Sequence, residues 1–156
     1  MSRVLVILRP SAARRIAGLI SLSAFGGILL SVAILRPPQS VIWTIFLLAI
    51  GVGAMMLVRA MYLATGRHLE LTETELRENT GLVLARMDQI LKVDRGTFAF
   101  KPSSGFRLVL KESAPRHWAP GLWWRIGRQV GIGGVTNSSQ GKAMAETIAA
   151  LLSERR

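Results

Sequence analysis

Two apolar runs near the start of the chain constrain its fold more than any other feature. Residues 16–35 contain no charged side chain, and neither do residues 41–58, whose apolar character continues past Arg59 to Ala64. At 1.5 Å rise per residue, about 20 apolar residues cross a hydrocarbon core roughly 30 Å thick. Each run meets that length. Arg36, Pro37 and Pro38 separate them, and two consecutive prolines cannot continue a helix. The pattern predicts a two-helix transmembrane hairpin, with helices over about residues 16–35 and 41–64. Two buried core helices of this kind would need more covering protein than a 156-residue chain supplies. A signal peptide competes for the first run, because Arg14 and Arg15 precede it. The run exceeds the ~7–15-residue core of such a peptide and ends in Leu35, Arg36 and two prolines instead of a small-residue cleavage pattern, so an uncleaved anchor is expected.

Charge fixes the expected orientation. The formal net charge is +11, yet no Asp or Glu occurs before Glu70. Arg3, Arg9, Arg14 and Arg15 precede the first run, Arg59, Arg67 and His68 cluster at the end of the second, and the connection holds only Arg36. Lys and Arg favour the cytoplasmic side, so both termini are expected there, at the cytoplasmic face of the membrane that holds the hairpin. Arg14, Arg15, Trp43, Arg59 and Tyr62 are the expected interface anchors, since aromatic and basic side chains settle at headgroup level. Small residues spaced four apart, Gly27 with Ser31 and Ala49 with Gly53, would let the two helices approach closely. The isoelectric point near 11.7 raises nucleic acid as a partner. The excess charge sits largely beside the apolar runs, however, and no recognition motif is present, so no nucleic acid is expected.

The remainder divides by pattern. Residues 1–15 form a basic tail, in which Val4–Leu8 is either a strand joining the later domain or an interfacial segment. From Gly66 to Arg156 a small α+β domain is expected. Leu69, Leu71 and Leu76 mark short β elements around an acidic turn. Residues 82–93 read as one or two strands, Arg95 and Gly96 as a turn, and residues 97–101 as a strand ahead of a hairpin loop at 102–105. Phe106, Leu108 and Leu110 alternate with Arg107, Val109 and Lys111 in the period-2 pattern of a half-buried strand. Pro115 and Pro120 bracket an expected loop, after which Trp124, Ile126, Val130 and Ile132 would share one strand face. From Ser138 or Ser139 to Glu154 the spacing becomes helical, with Met144, Ile148, Leu151 and Leu152 on one stripe.

Two membrane helices, several short antiparallel strands and one closing helix together resemble the bacterial membrane proteins with a pleckstrin-homology-like domain. The stretches that carry the resemblance are Leu69 to Thr72 leading into Glu75 and Leu76, the strand and turn from Ile90 to Gly96, and the helix from Ala143 to Leu152. The resemblance implies a bent antiparallel sheet closed by the C-terminal amphipathic helix, and a binding or scaffolding role without catalysis. Lipid-reading members carry Lys and Arg in the first hairpin; here that place holds Glu70, Glu73, Glu75 and Glu78. Such a cluster would repel a phosphorylated inositol headgroup at that site, and a solvated acidic face is expected.

One stretch stands out as a contact surface. Arg116, Trp118, Trp123, Arg125 and Arg128 concentrate within thirteen positions that also hold His117 and Trp124. Trp rings sit well at headgroup level, Arg pairs with phosphate, and both residue types dominate protein–protein hot spots. The alternative is that Trp124 is core and the other rings merely cover the sheet. The glycines at 127, 131, 133 and 134 alternate with Arg, Val and Ile as in a closely packed strand, and lack the strand-then-helix context of a nucleotide loop. Gly141 and Lys142 do not complete a phosphate-binding P-loop. The chain has no Cys, and His68 and His117 lack metal-ligand spacing. No cofactor, metal or catalytic group is expected. The function read from the sequence is a non-catalytic scaffold or assembly module whose partners are the lipid bilayer and other membrane proteins; the alternative is a small accessory subunit of a larger respiratory or photosynthetic membrane complex.

Overall fold

The computed structural model describes residues 3–95 and 105–154; the expected strand at 97–101 and most of the hairpin loop at 102–105 lie outside them. Two 24-residue helices dominate the first half, α1 (Ala12–Leu35) and α2 (Val41–Ala64). Each is roughly 36 Å long, long and apolar enough to cross a membrane. Helix α1 starts four residues earlier than the charge-free run, because Ser11 adopts the extended N-cap conformation and its carbonyl accepts the Arg15 N–H. Arg14 and Arg15 therefore lie in its first turn.

The helices pack side by side, but not through the expected small residues. Nothing approaches within 4 Å of a Cβ built on Gly27 or Gly53. The close approach is made one face away. A Cβ on Gly26 would stand 3.0 Å from Ala54 Cβ, and one on Gly51 would stand 2.8 Å from Leu30. Four-residue spacing identifies a stripe of small residues without saying which of several such stripes faces the neighbour.

Among the described residues, seven strands and a third helix make up the rest of the fold. Strands β1 (Val4–Leu8), β2 (Leu69–Thr72), β3 (Glu75–Glu78) and β4 (Val83–Arg86) form one antiparallel sheet in that order. A 3-10 turn at Met87–Gln89 leads to the second sheet, made of β5 (Ile90–Asp94), β6 (Phe106–Ala119) and β7 (Trp123–Ile132). Of the two readings of Val4–Leu8, the strand is the one found: Leu8 pairs with Leu69 and Ile7 with Glu70. The helix pair is thus inserted between two neighbouring strands, so the sheet holds both of its domain-side ends.

Helix α3 (Ser138–Glu154) turns Gly141, Met144, Ala145 and Ile148 inward. They join one core with Leu8, Leu69, Leu71 and Leu76 from the first sheet and Phe106, Leu108, Leu110 and Val130 from the second. Burying a Leu, Ile or Phe side chain is worth about 1.5–3 kcal/mol, so this core holds the two sheets and the helix together.

Strand β6 runs unbroken through the stretch expected to be a loop. Pro115 tolerates this because its missing N–H falls in an irregular part of the ladder, where the register with β7 shifts twice between Val109 and His117. Gly127 supplies the matching irregularity in β7, with a φ of 58° opposite Ala114. The surplus residues lie in β6, and across this irregularity the alternation in β7 reverses. Val130 and Ile132 point inward as expected, but ahead of Gly127 it is Trp123 that is buried, while Ile126 is 53% exposed.

Candidate functional site

The Trp/Arg stretch occupies both arms of the β6–β7 hairpin, and the bulge sorts it into two faces. On the inner side Trp123 is only 1% exposed. Its Nε1–H donates to Glu78 Oε1 at 3.2 Å, and its ring stacks on the His117 imidazole at 4.7 Å. Trp123 is therefore core, which corrects its reading as a contact residue. Arg125 also turns inward. Its Nη1 donates to the carbonyls of Val83 and Leu84, and its Nε to that of Pro115. The guanidinium thus ties β7 to β4, across the gap between the sheets, and burial lowers its pKa from the usual value. Arg128 Nε donates to the Leu110 carbonyl. Both arginines are engaged in holding the fold.

The outer face keeps the remaining residues. Trp118 and Trp124 are direct cross-strand partners. Trp124 lies over Gly131, where any Cβ would overlap the indole, so Gly131 gives this ring its seat. Trp118 is 60% exposed. Arg116, His117, Trp118, Trp124 and Ile126 line a groove of about 320 Å³. An exposed Trp beside an exposed Ile with Arg116 at the rim has the composition of a binding hot spot.

The hairpin turn sets where this groove lies. The Leu122 N–H donates to the Ala119 carbonyl, and a Cβ on Gly121 would stand 3.2 Å from Thr65 Cγ2, just past the end of α2. The segment after β7 joins the same place: Val135 N–H donates to Gly121 O, and Ser11 N–H to Val135 O. Arg14 Nη1 donates to the Thr136 carbonyl. Arg15 Nε donates to Thr65 Oγ1 at 2.9 Å, and its guanidinium carbon stands 5.0 Å from the centre of the Tyr62 ring. Of the five expected anchors, the structure therefore brings Arg14, Arg15 and Tyr62 together where helices and domain meet. Arg59 is exposed one turn before Tyr62. Trp43 lies at the other end of α2, edge-on to Phe46.

The acidic cluster is the expected solvated face only in part: Glu73 is exposed, and Glu70 and Glu75 are half-buried. Glu78 is fully buried. Its carboxylate accepts from Arg67 Nη1 at 3.1 Å, Thr80 Oγ1 at 2.7 Å and Trp123 Nε1. A buried carboxylate persists only when paired and hydrogen-bonded, and Glu78 is both. Glu70 is held by Arg77 and His68, and Glu75 stands 3.7 Å from Arg77. Strand periodicity carries the signal for Glu78, because it shares a face with Leu76, two residues before it. Its three-way network connects the end of α2, strand β3 and strand β7. No protein-family model matches this chain, and no curated protein or solved structure shows significant similarity to it.

Proposed function

We propose that this chain is a membrane-anchored, non-catalytic binding module, in which α1 and α2 lie in a bilayer and hold a pleckstrin-homology-like domain at its surface. Four strands, then three, then one C-terminal helix sharing their core support that reading of the domain. The bilayer is supported by exposure: only 11% of the most apolar stretch of each helix is buried against protein. That much apolar surface is costly in water and favourable in lipid. The arginine distribution favours the cytoplasmic face of a bacterial inner membrane for both termini.

The groove around Trp118 is the observation that carries the binding role. It is open and apolar with a basic rim. Its Trp118–Trp124 pair stands three residues from a turn that abuts α2, about 10 Å at the rise of a strand. A surface so close to the bilayer is best matched by the membrane-proximal part of another membrane protein. The test is purification of the full, C-terminally tagged chain in a gentle detergent, beside an Arg116→Ala/Trp118→Ala variant. A membrane protein recovered in fixed ratio with the wild type, and at least tenfold less with the variant, is the expected result. A partner retained equally by both chains, or absent from both, overturns the assignment of the groove.

A further inference from the structure

A second cavity, of about 320 Å³, opens where β1 ends, α1 begins and α2 finishes. Arg9, Arg15, Arg67 and His68 line it together with Thr65, and among the described residues no carboxylate does. Arg67 and His68 are steadied from behind by Glu78 and Glu70. Arg15 is held by Thr65 Oγ1 and the Tyr62 carbonyl, which engage two of its five N–H donors. The exposed Arg9 is fixed only through its main chain, whose N–H donates to Gln140 Oε1. Ala12, the first residue of α1, forms part of the wall. Ser11 makes no side-chain capping bond, so the positive end of a 24-residue helix adds to the field.

We propose that this cavity binds the phosphodiester of an anionic phospholipid from the membrane that holds α1 and α2. Three guanidinium groups around one opening match a phosphate with charge-assisted, often bidentate hydrogen bonds. The position selects a lipid over a soluble anion. The cavity lies at the ends of both apolar helices, at headgroup depth, and the exposed side chains of Ile16 and Leu63 on the adjoining turns give acyl chains an apolar wall. The site is separate from the Trp118 groove. It rests on the reading that the helices lie in a bilayer, which alkaline carbonate extraction of membranes decides independently.

The test uses the full chain in neutral maltoside micelles carrying equal amounts of phosphatidylglycerol and phosphatidylcholine. Lipid retained on the protein is counted by native mass spectrometry. One phosphatidylglycerol per wild-type chain is expected, with at least a tenfold loss in Arg9→Gln/Arg15→Gln. Retention is expected to be unchanged in Arg86→Gln, which removes a charge from the remote end of β4, and to fall partway in Arg9→Lys, which keeps the charge but not the paired N–H donors. Far-UV circular dichroism checks that each variant is folded; should the double variant unfold, Arg9→Gln alone decides, since no side-chain bond of Arg9 is lost. Equal retention of the two lipids, an Arg86→Gln loss equal to that of the cavity variants, or displacement of the lipid by millimolar inorganic phosphate would each overturn the proposal.

Discussion

In α1 and α2 the large apolar side chains point away from the protein: Ile20, Phe25, Ile28, Ile42, Phe46 and Met56 are all exposed. In the domain the same residue types do the reverse, and Leu8, Leu69, Leu71, Leu76, Leu108 and Ile132 have no exposure. On the proposed reading, each half suits a different solvent. The domain hides its apolar surface and meets water with charge, whereas the helices hide little beyond Gly26, Ala33, Gly51, Ala54 and Ala64. Arginines collect where the two regimes meet. Substitutions on either side of that boundary should therefore have effects set by solvent and not by residue type.

The largest effect is expected inside the domain. Trp123→Ala removes the biggest buried side chain and takes the indole N–H away from Glu78. Aromatic-to-Ala changes in a core cost about 3–5 kcal/mol. Urea titration of the full chain in detergent, followed by tertiary-structure circular dichroism, should show the domain transition moving to much lower denaturant. A shift worth under about 1 kcal/mol would mean that this ring is not core.

On the side proposed to face lipid, a charge at the middle of a helix is the informative change. Val52 is half exposed near the midpoint of α2. Val52→Arg is expected to cost roughly 2.5–3.5 kcal/mol on insertion. Carbonate-resistant membrane association of the full chain should drop, whereas Gln129→Arg on the exposed face of β7 should leave it unaltered. Equal association of Val52→Arg and wild type would break the comparison, because α2 would then not be lipid-facing at that depth.

Between the two helices the discriminating pair is Gly26 and Gly27. A Cβ at Gly26 would fall 2.5 Å from Met55 Cε, while one at Gly27 meets open space. Gly26→Ile should destabilise by about 1–3 kcal/mol through overpacking, and Gly27→Ile should be nearly neutral. Thermal unfolding in detergent separates them. A larger loss for Gly27→Ile would show that its outward face is occupied by another helix.

The sequence makes the helix pair and the period of α3 legible, because each is a property of a local run. Three other features depend on distance or on a single residue. β1 pairs with β2 across some sixty intervening residues, and the short run Val4–Leu8 carries no mark of its partner. The bulge opposite Gly127 reverses the inward face of β7, so Trp123 and Val130, seven positions apart, are both buried, which uninterrupted alternation forbids. Glu78 shares its strand face with the buried Leu76, yet its charge outweighs that position in a sequence reading. In the candidate groove, Arg116 and Trp118 are placed on the surface as composition implies. The inward turn of Arg125 and Trp123 follows from the bulge alone.

The smallest stability effect is expected from the tryptophan with the largest proposed role. Trp118 lies across the same hairpin as Trp123, but it is 60% exposed and, among the described residues, its indole has no hydrogen-bond partner. Truncation removes little buried area, so Trp118→Ala should change stability by less than about 1 kcal/mol. An exposed ring that contributes little to folding is free to contribute to association, where Trp truncation commonly costs 2 kcal/mol or more, or roughly thirtyfold in affinity. The two measurements on this one variant therefore separate the roles. Stability retained with partner recovery lost marks a contact residue. Stability lost by several kcal/mol would move Trp118 to the side of Trp123, and the outer face of the hairpin would then belong to the fold as much as the inner one does.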